Sequence, residues 1–315
     1  MGERIPIAVP RKGRPLETVL DWLARRLDVT ELADDVSSTL RHEKAITKGR
    51  IEPESAADRY ERLAAYSDVD EPTSPEYTLV RDERVGKPRR IVFDSVSIPL
   101  EDVDGVADGT EILLVGREEP FRALRTHEFA LGFDSADLVL EEVVTLEREP
   151  LERIADINAR IDPADTDVGV VAGLGDTVYH TLLATPERAP PSAPVDRTFI
   201  DRYEGPLCIT ARYERLVQAV LGTAALDGVD FRYPGPGVEE ERAIVNAGVG
   251  IYLTATGSTA RDHGLVLGEK LFPSETVLLE NAAEVTPEIK ALQSVLVGSG
   301  PSSETALDVS PPTLE

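Results

Sequence analysis

At 315 residues and 41% hydrophobic composition, the chain can bury one large α/β core or two modest lobes, which excludes wholesale disorder. Its net charge of -25, from 58 acidic against 33 basic residues, argues against a nucleic-acid-binding face. One cysteine, Cys208, excludes a disulfide framework and a thiolate metal cluster, and no apolar run approaches the ~20 residues that span a bilayer.

Residues 4–9, RIPIAV, predict a short buried strand. A polar loop follows at 10–14, and then a helix over 15–27 with Pro15 in its first turn. Strand, glycine-bearing loop and helix together open a doubly wound sheet. Residues 30–88 are charged and broken by Pro53, Pro72, Pro75 and Pro88; they read as a surface insertion with one or two helices, the better one at 54–66. Strands are predicted at 89–99 and 110–116, a short helix at 119–127, a strand at 128–133 and helices at 135–142 and 149–161. Two further strands lie at 167–173 and 177–186. The proline-rich stretch 186–196 reads as a link between lobes. Strand-helix alternation then resumes: strand 205–211, helix 213–222, strand 229–235, helix 238–248, strand 250–257. A last strand at 275–281 precedes a helix that begins with Thr286 as cap and Pro287 at its first position. The organisation expected is a first lobe over 1–189, a second over 190–274, a return to the first over 275–298, and a disordered tail over 299–315.

Lysine occurs only at positions 12, 44, 48, 87, 270 and 290. Abundant acid with scarce lysine suits a halophilic protein in molar salt, where the Debye length is roughly 3 Å and carboxylates chiefly hold water and cations. An acidic surface for a basic partner is the alternative. The N-terminus is charged from the start, without the apolar core of a secretory leader, so a soluble cytoplasmic protein without membrane attachment is expected.

The strand 250–257 runs into Thr256-Gly257-Ser258-Thr259-Ala260 before a helical segment. Such a turn converges backbone N–H groups and hydroxyls on one point, and a helix N-terminus adds positive potential: a phosphate site by physics. The competing reading is an ordinary structural turn. Lys12 and Arg14 fit either a ligand or a surface salt bridge. Glu239, in Glu239-Glu240-Glu241, fits either a catalytic acid or a solvated helix start. His42, His127, His180 and His263 lack metal-ligand spacing, so no metal site is expected from side chains alone. His263 follows the turn, as a ligand donor or an exposed first-turn residue. Cys208 reads as core. The segment 173–177 departs from Gly-x-Gly-x-x-Gly, and Gly-x-Ser-x-Gly is absent.

Several segments together resemble the ATP phosphoribosyltransferases of histidine biosynthesis. IPIAVPRKGRPLETVLDWL is similar to that family's opening strand, Pro-x-Lys-Gly-Arg loop and helix. TVYHTLLATPER, YEGPLCITARYERLVQAVL, TATGSTARDHGL and SETVLLENAA follow its later strands and its Thr-Gly-x-Thr loop. The likeness covers about the first 27 residues, 110–145 loosely and 178–297 fairly continuously. It implies a two-lobed α/β fold of the type II periplasmic-binding-protein kind with the ligand in the cleft. The implied reaction is transfer of the phosphoribosyl group of phosphoribosyl pyrophosphate (PRPP) to ATP, or a related purine, with Mg²⁺ and release of pyrophosphate. Thr256, Gly257, Ser258, Thr259 and Ala260 would cradle the 5′-phosphate, and Lys12 and Arg14 would meet the pyrophosphate or ATP phosphates. Glu239 falls where the family has a glutamate, and a homodimer is the family's habit.

Two departures bear on activity. Where the family carries carboxylates suited to the ribose hydroxyls, this chain has Tyr252 and Ala255, so Glu239, Glu240 or Asp262 must take over in an enzyme. The alternative is a non-catalytic bilobal binder or sensor of a phosphorylated metabolite.

Overall fold

The computed structural model describes residues 3–52, 58–68, 70–81, 89–100, 106–175, 178–189 and 194–298. The expected tail, and Pro190 to Ala193 of the proline-rich link, lie outside the described residues. The chain forms two α/β units, each on its own sheet, with boundaries at 134/135, 166/167, 174/175 and 276/277. This is the two-sheet α/β architecture that the resemblance implies. The unit boundaries differ from 189/190 and 274/275 of the sequence reading.

The first unit holds strands β1 (Arg4–Pro10), β2 (Glu76–Val80), β3 (Arg90–Pro99), β4 (Glu111–Arg117), most of β5 (Leu131–Ser135), β6 (Val168–Gly173) and, entered here out of chain order, most of β12 (Thr276–Asn281). They form a seven-stranded sheet in the order β2-β3-β4-β1-β5-β12-β6. Strand β1 is parallel to β4 and β5, and its run Ile7-Ala8-Val9 is wholly buried, as a strand covered on both faces must be. Helix α1 (Gly13–Leu27) buries Leu16, Val19, Leu20 and Leu23, the spacing of one helical face. Each such side chain stabilises by about 1.5–3 kcal/mol. Trp22 of the same helix meets Phe133 edge to face, centroids 5.6 Å apart.

Residues 30–88 correct the sequence reading. Their best helix is not 54–66 but α2 (Thr30–Thr47), which buries Ala33, Val36 and Leu40 against α1 and β3. Helix α3 (Arg59–Tyr66) falls within the expected 54–66, of which residues 54–57 lie outside the described residues; it starts from a capping box of Asp58 and Glu61 and is tied to α2 by Arg62 Nε to Glu43 at 2.8 Å. Strand β2 then pairs antiparallel with β3. Helix α2 is thus built into the unit's core; its polar residues hid a narrow apolar stripe of period 3.6. Helix α4 (Pro120–Arg125) completes this part of the chain.

The second unit begins with α5 (Ala136–Glu142), capped by Ser135. The helix expected at 149–161 is instead two 3₁₀ turns, Ile154–Asp156 and Asn158–Arg160. Strand β7 (Val178–Ala184), helix α6 (Arg197–Ile200), β8 (Gly205–Cys208), α7 (Glu214–Leu221), β9 (Val229–Arg232), α8 (Glu240–Ala247), β10 (Val249–Thr254), α9 (Ser258–Asp262) and β11 (Val266–Ser274) follow. Their sheet has the order β11-β7-β10-β8-β9. Strand β11 had no counterpart among the predicted elements. It pairs antiparallel with β7 through two register shifts, and its first half is half-buried or exposed while its last four residues are all buried, so no clean alternation marks it. Arg197 buckles it to the unit: Nε bonds Glu269 at 3.0 Å and Nη2 donates to the Leu271 carbonyl at 2.7 Å. After β12 the chain closes with α10 (Pro287–Val297), capped by Thr286 as expected.

Candidate functional site

Strand β10 alternates its side chains, so Gly250, Tyr252 and Thr254 share one face. A Cβ at Gly250 would stand 2.5 Å from Ile244 Cγ1, so helix α8 lies directly on the strand there. On α8, Glu241 and Ile244 are three residues apart and both buried, which places Glu241 on the helix face turned to β10. The strand then leaves the sheet at Thr254, whose hydroxyl lies 2.6 Å from that of Thr181 on β7.

The turn that follows takes its form from Gly257. Its φ is +71°, and a Cβ there would sit 2.1 Å from Leu267 Cδ2. The left-handed backbone favours glycine, and any Cβ would also have to displace the Leu267 side chain of β11. Thr256 Oγ1 and Ser258 Oγ are 3.2 Å apart, and the Arg261 N–H closes onto the Gly257 carbonyl at 3.1 Å. The leading N–H groups of α9 have no acceptor within the helix. Helix α9 has only five residues, so the positive potential of the turn comes from individual N–H groups and hydroxyls, with little of the dipole a longer helix would supply.

Turn and helix enclose a pocket of about 360 Å³, lined by Glu241, Tyr252, Thr254 and the run Thr256 to Ala260. The five turn residues of the sequence reading are therefore brought together, and Tyr252 and Ala255 line the same hollow. Glu241 is the residue the sequence reading missed. It is 8% exposed and, among the described residues, makes no hydrogen bond or ion pair. Its carboxylate oxygens are not among the fully buried, unpartnered polar atoms of the described residues, and the residue lines the hollow. Helical spacing from Ile244 could have found it; the acidic run Glu239-Glu240-Glu241 reads instead as a solvated helix start. Burial, followed by the charges of Glu240 and Glu241, raises the Tyr252 phenol above its ordinary value, so it is a donor at neutral pH.

The other sequence-derived residues stand elsewhere. Glu239 is exposed at the head of α8, with His263 Nε2 3.6 Å from its carboxylate. His263 Nδ1 lies 3.0 Å from the Thr259 carbonyl; that contact, then Glu241 and Glu239, raises the imidazole above its usual value. In the first unit, Lys12 precedes α1 and bonds both oxygens of Glu118, at 2.7 and 3.0 Å, while Arg14 is exposed in the first turn of α1. His127 bonds Glu284 at 2.9 Å. His180 is buried in the second unit, its Nε2 3.1 Å from Asp137, which also accepts from Ser274 at 2.8 Å. Among the described residues no three metal-ligating side chains cluster. Cys208 is buried, and burial with the charge of Glu240 pushes its thiol up to about 11, which makes it inert core.

Among solved structures, the chain is similar to the ATP phosphoribosyl transferase (HisG:HisZ) complex from Thermotoga maritima. The identity is 14%, the coverage 93% of this chain and 98% of that one, and the TM-score 0.41. It is also similar to YhfZ from Shigella flexneri, with 11% identity, 60% and 76% coverage and a TM-score of 0.36. A third similar structure is the Gly52Ala mutant of arginine-bound ArgBP from T. maritima, with 11% identity, 59% and 76% coverage and a TM-score of 0.30. No curated protein matches the sequence. The family model of halobacterial ATP phosphoribosyltransferase matches residues 1–308, and the chain belongs to that family.

Proposed function

We propose that this protein transfers the phosphoribosyl group of PRPP to ATP, or a related purine, with release of pyrophosphate. The observation that carries the reading is the shared pocket of the Thr256–Ala260 turn and Glu241. Hydroxyls and backbone N–H groups suit the 5′-phosphate. A carboxylate facing the same hollow would repel a bare phosphate, so the ligand must bring hydroxyl donors or a cation to it. A phosphorylated ribose does both.

In the reaction the C1′–oxygen bond to pyrophosphate breaks, its electron pair leaving with pyrophosphate, while a purine nitrogen forms the new bond to C1′. The chain's task is to hold the sugar and the leaving group as positive charge develops on the ring. Thr256, Ser258 and Thr259 anchor the phosphate end. Glu241 accepts from the ribose hydroxyls and takes the place left by Tyr252 and Ala255, while the Tyr252 phenol donates. Lys12 and Arg14 are assigned to phosphate oxygens, Lys12 after release from Glu118. Mg²⁺ fits this donor set: it commonly binds through one or two carboxylates plus substrate phosphates, and Glu241 supplies the carboxylate. When bound, it neutralises charge on the departing pyrophosphate. Glu239 is the second acid to test, and a homodimer is checked by light scattering.

The test is pyrophosphate release from PRPP by the full chain in molar KCl, with and without ATP. ATP-dependent release that falls at least tenfold in Thr259→Val and in Glu241→Gln supports the transferase. No release from folded protein that still binds PRPP favours the second reading, a sensor of a phosphorylated metabolite, which the absence of acids at Tyr252 and Ala255 motivates.

A further inference from the structure

Strand β9 closes one end of the second sheet and, among the described residues, bonds to β8 alone. The Gly228 carbonyl accepts from the Gly205 N–H at 3.1 Å, and the Arg232 carbonyl from the Ile209 N–H at 2.9 Å. Backbone groups alternate sides along a strand, so those of Val229, Phe231 and Tyr233 face away from the sheet. An open edge of this kind is a template for another strand, and folded proteins blunt it with bulges, lysine or proline. The other sheet edges, β2, β6 and β11, each carry a register shift against their neighbour. Strand β9 carries none, running in register from Gly205 to Cys208, and no lysine or proline interrupts Val229 to Tyr233.

The segment Val-Asp-Phe-Arg-Tyr is complementary to itself when turned end to end. With Phe231 opposite the partner's Phe231, Val229 meets the partner's Tyr233 and Asp230 meets the partner's Arg232. The hydrogen-bonding pattern agrees with that register. Phe231, Val229 and Tyr233 have the outward N–H and C=O groups, so these pairs exchange both of their bonds across the strands. Asp230 and Arg232 fall at the intervening positions, where side chains approach most closely and opposite charges stabilise. Both side chains are exposed, 58% and 61%, and within one chain they pair with each other. Phe231 is half-buried and Tyr233 is exposed. In a chain of net charge -25, this edge carries one charge of each sign, placed to meet its own opposite.

We propose that β9 is a self-association edge: two copies of this chain pair antiparallel through Val229 to Tyr233, about a two-fold axis at Phe231, and join their five-stranded sheets into one. The inference rests on the homodimer reading above, to which it gives an interface and a register, and does not depend on the reaction.

The experiment is sedimentation equilibrium of the full chain in molar KCl, where repulsion between two acidic copies is screened. Wild type is expected to be a dimer. Asp230→Arg sets arginine against arginine at both crossings, and Arg232→Asp sets aspartate against aspartate; each is expected to weaken dimerisation at least fivefold. An equimolar mixture of the two variants restores opposite charges at both crossings and is expected to associate at least fivefold more tightly than either alone. Net charge by itself acts differently, because Asp230→Arg makes the chain less acidic and would strengthen association. Both side chains are exposed, so the variants fold, which circular dichroism checks. Unchanged or strengthened dimers in Asp230→Arg, or a mixture no tighter than its components, overturn the β9 edge while leaving a homodimer through another face. A monomeric wild type overturns the homodimer itself and this inference with it.

Discussion

The Thr256–Ala260 turn and the β9 edge both offer backbone groups to a partner, by different means. The turn uses backbone N–H groups and hydroxyls, held by a glycine in the left-handed region. The edge adds a charge of each sign, Asp230 and Arg232, on exposed side chains. In molar salt the two should diverge. Exposed charges are screened over a few ångströms, whereas short hydrogen bonds from fixed backbone donors lose far less. Backbone donors are therefore the better means of holding an anion at high salt in an acidic, lysine-poor chain.

The largest effect that could break this comparison is at Gly257. Gly257→Ala combines a left-handed backbone with a clash against Leu267 and should cost about 2–4 kcal/mol in chemical denaturation, with the pocket lost as well. A fully stable Gly257→Ala would mean that the turn is not preorganised. Next, Glu241→Gln should lower kcat/KM for PRPP roughly 10–100-fold, as for a lost charged hydrogen bond of about 1.5–3 kcal/mol. The same variant should unfold at nearly the same temperature, because Glu241 makes no hydrogen bond or ion pair among the described residues. Loss of stability together with activity would make Glu241 structural instead.

Salt dependence sharpens the contrast further. The gap in dimer affinity between wild type and Arg232→Asp should narrow from low to molar KCl, read by sedimentation, whereas PRPP affinity at the turn should change only weakly, read by titration. A smaller effect is the titration of His263. Its folded-state value is raised, so the stability it contributes is fully present below the ordinary value of 6.5 and is lost as pH rises through the raised one. The ring should therefore show an NMR midpoint above 6.5, shifted down in Glu239→Gln. A midpoint below 6.5 would separate His263 from Thr259, Glu241 and Glu239.

Much of this molecule was legible in one dimension. The strand-helix alternation, the capped helix at Thr286, the buried Cys208 strand and the turn at 256–260 follow from local rules of period, capping and glycine conformation, which act within a few residues. The Lys-Gly-Arg and Thr-Gly-Ser-Thr segments sufficed to suggest the family. Tertiary structure decided the rest. Helix α2 entered the core because three apolar residues on a polar helix found α1 and β3 to cover them. Strand β11 exists because β7 offers an edge to a segment with no alternation of its own. Glu241 came to line one hollow with the Thr256–Ala260 turn because α8 lies on Gly250. A sequence reports each residue's chemistry and its local period. Which carboxylate lines the hollow of a turn depends on contacts between residues far apart in the chain, and only packing supplies those.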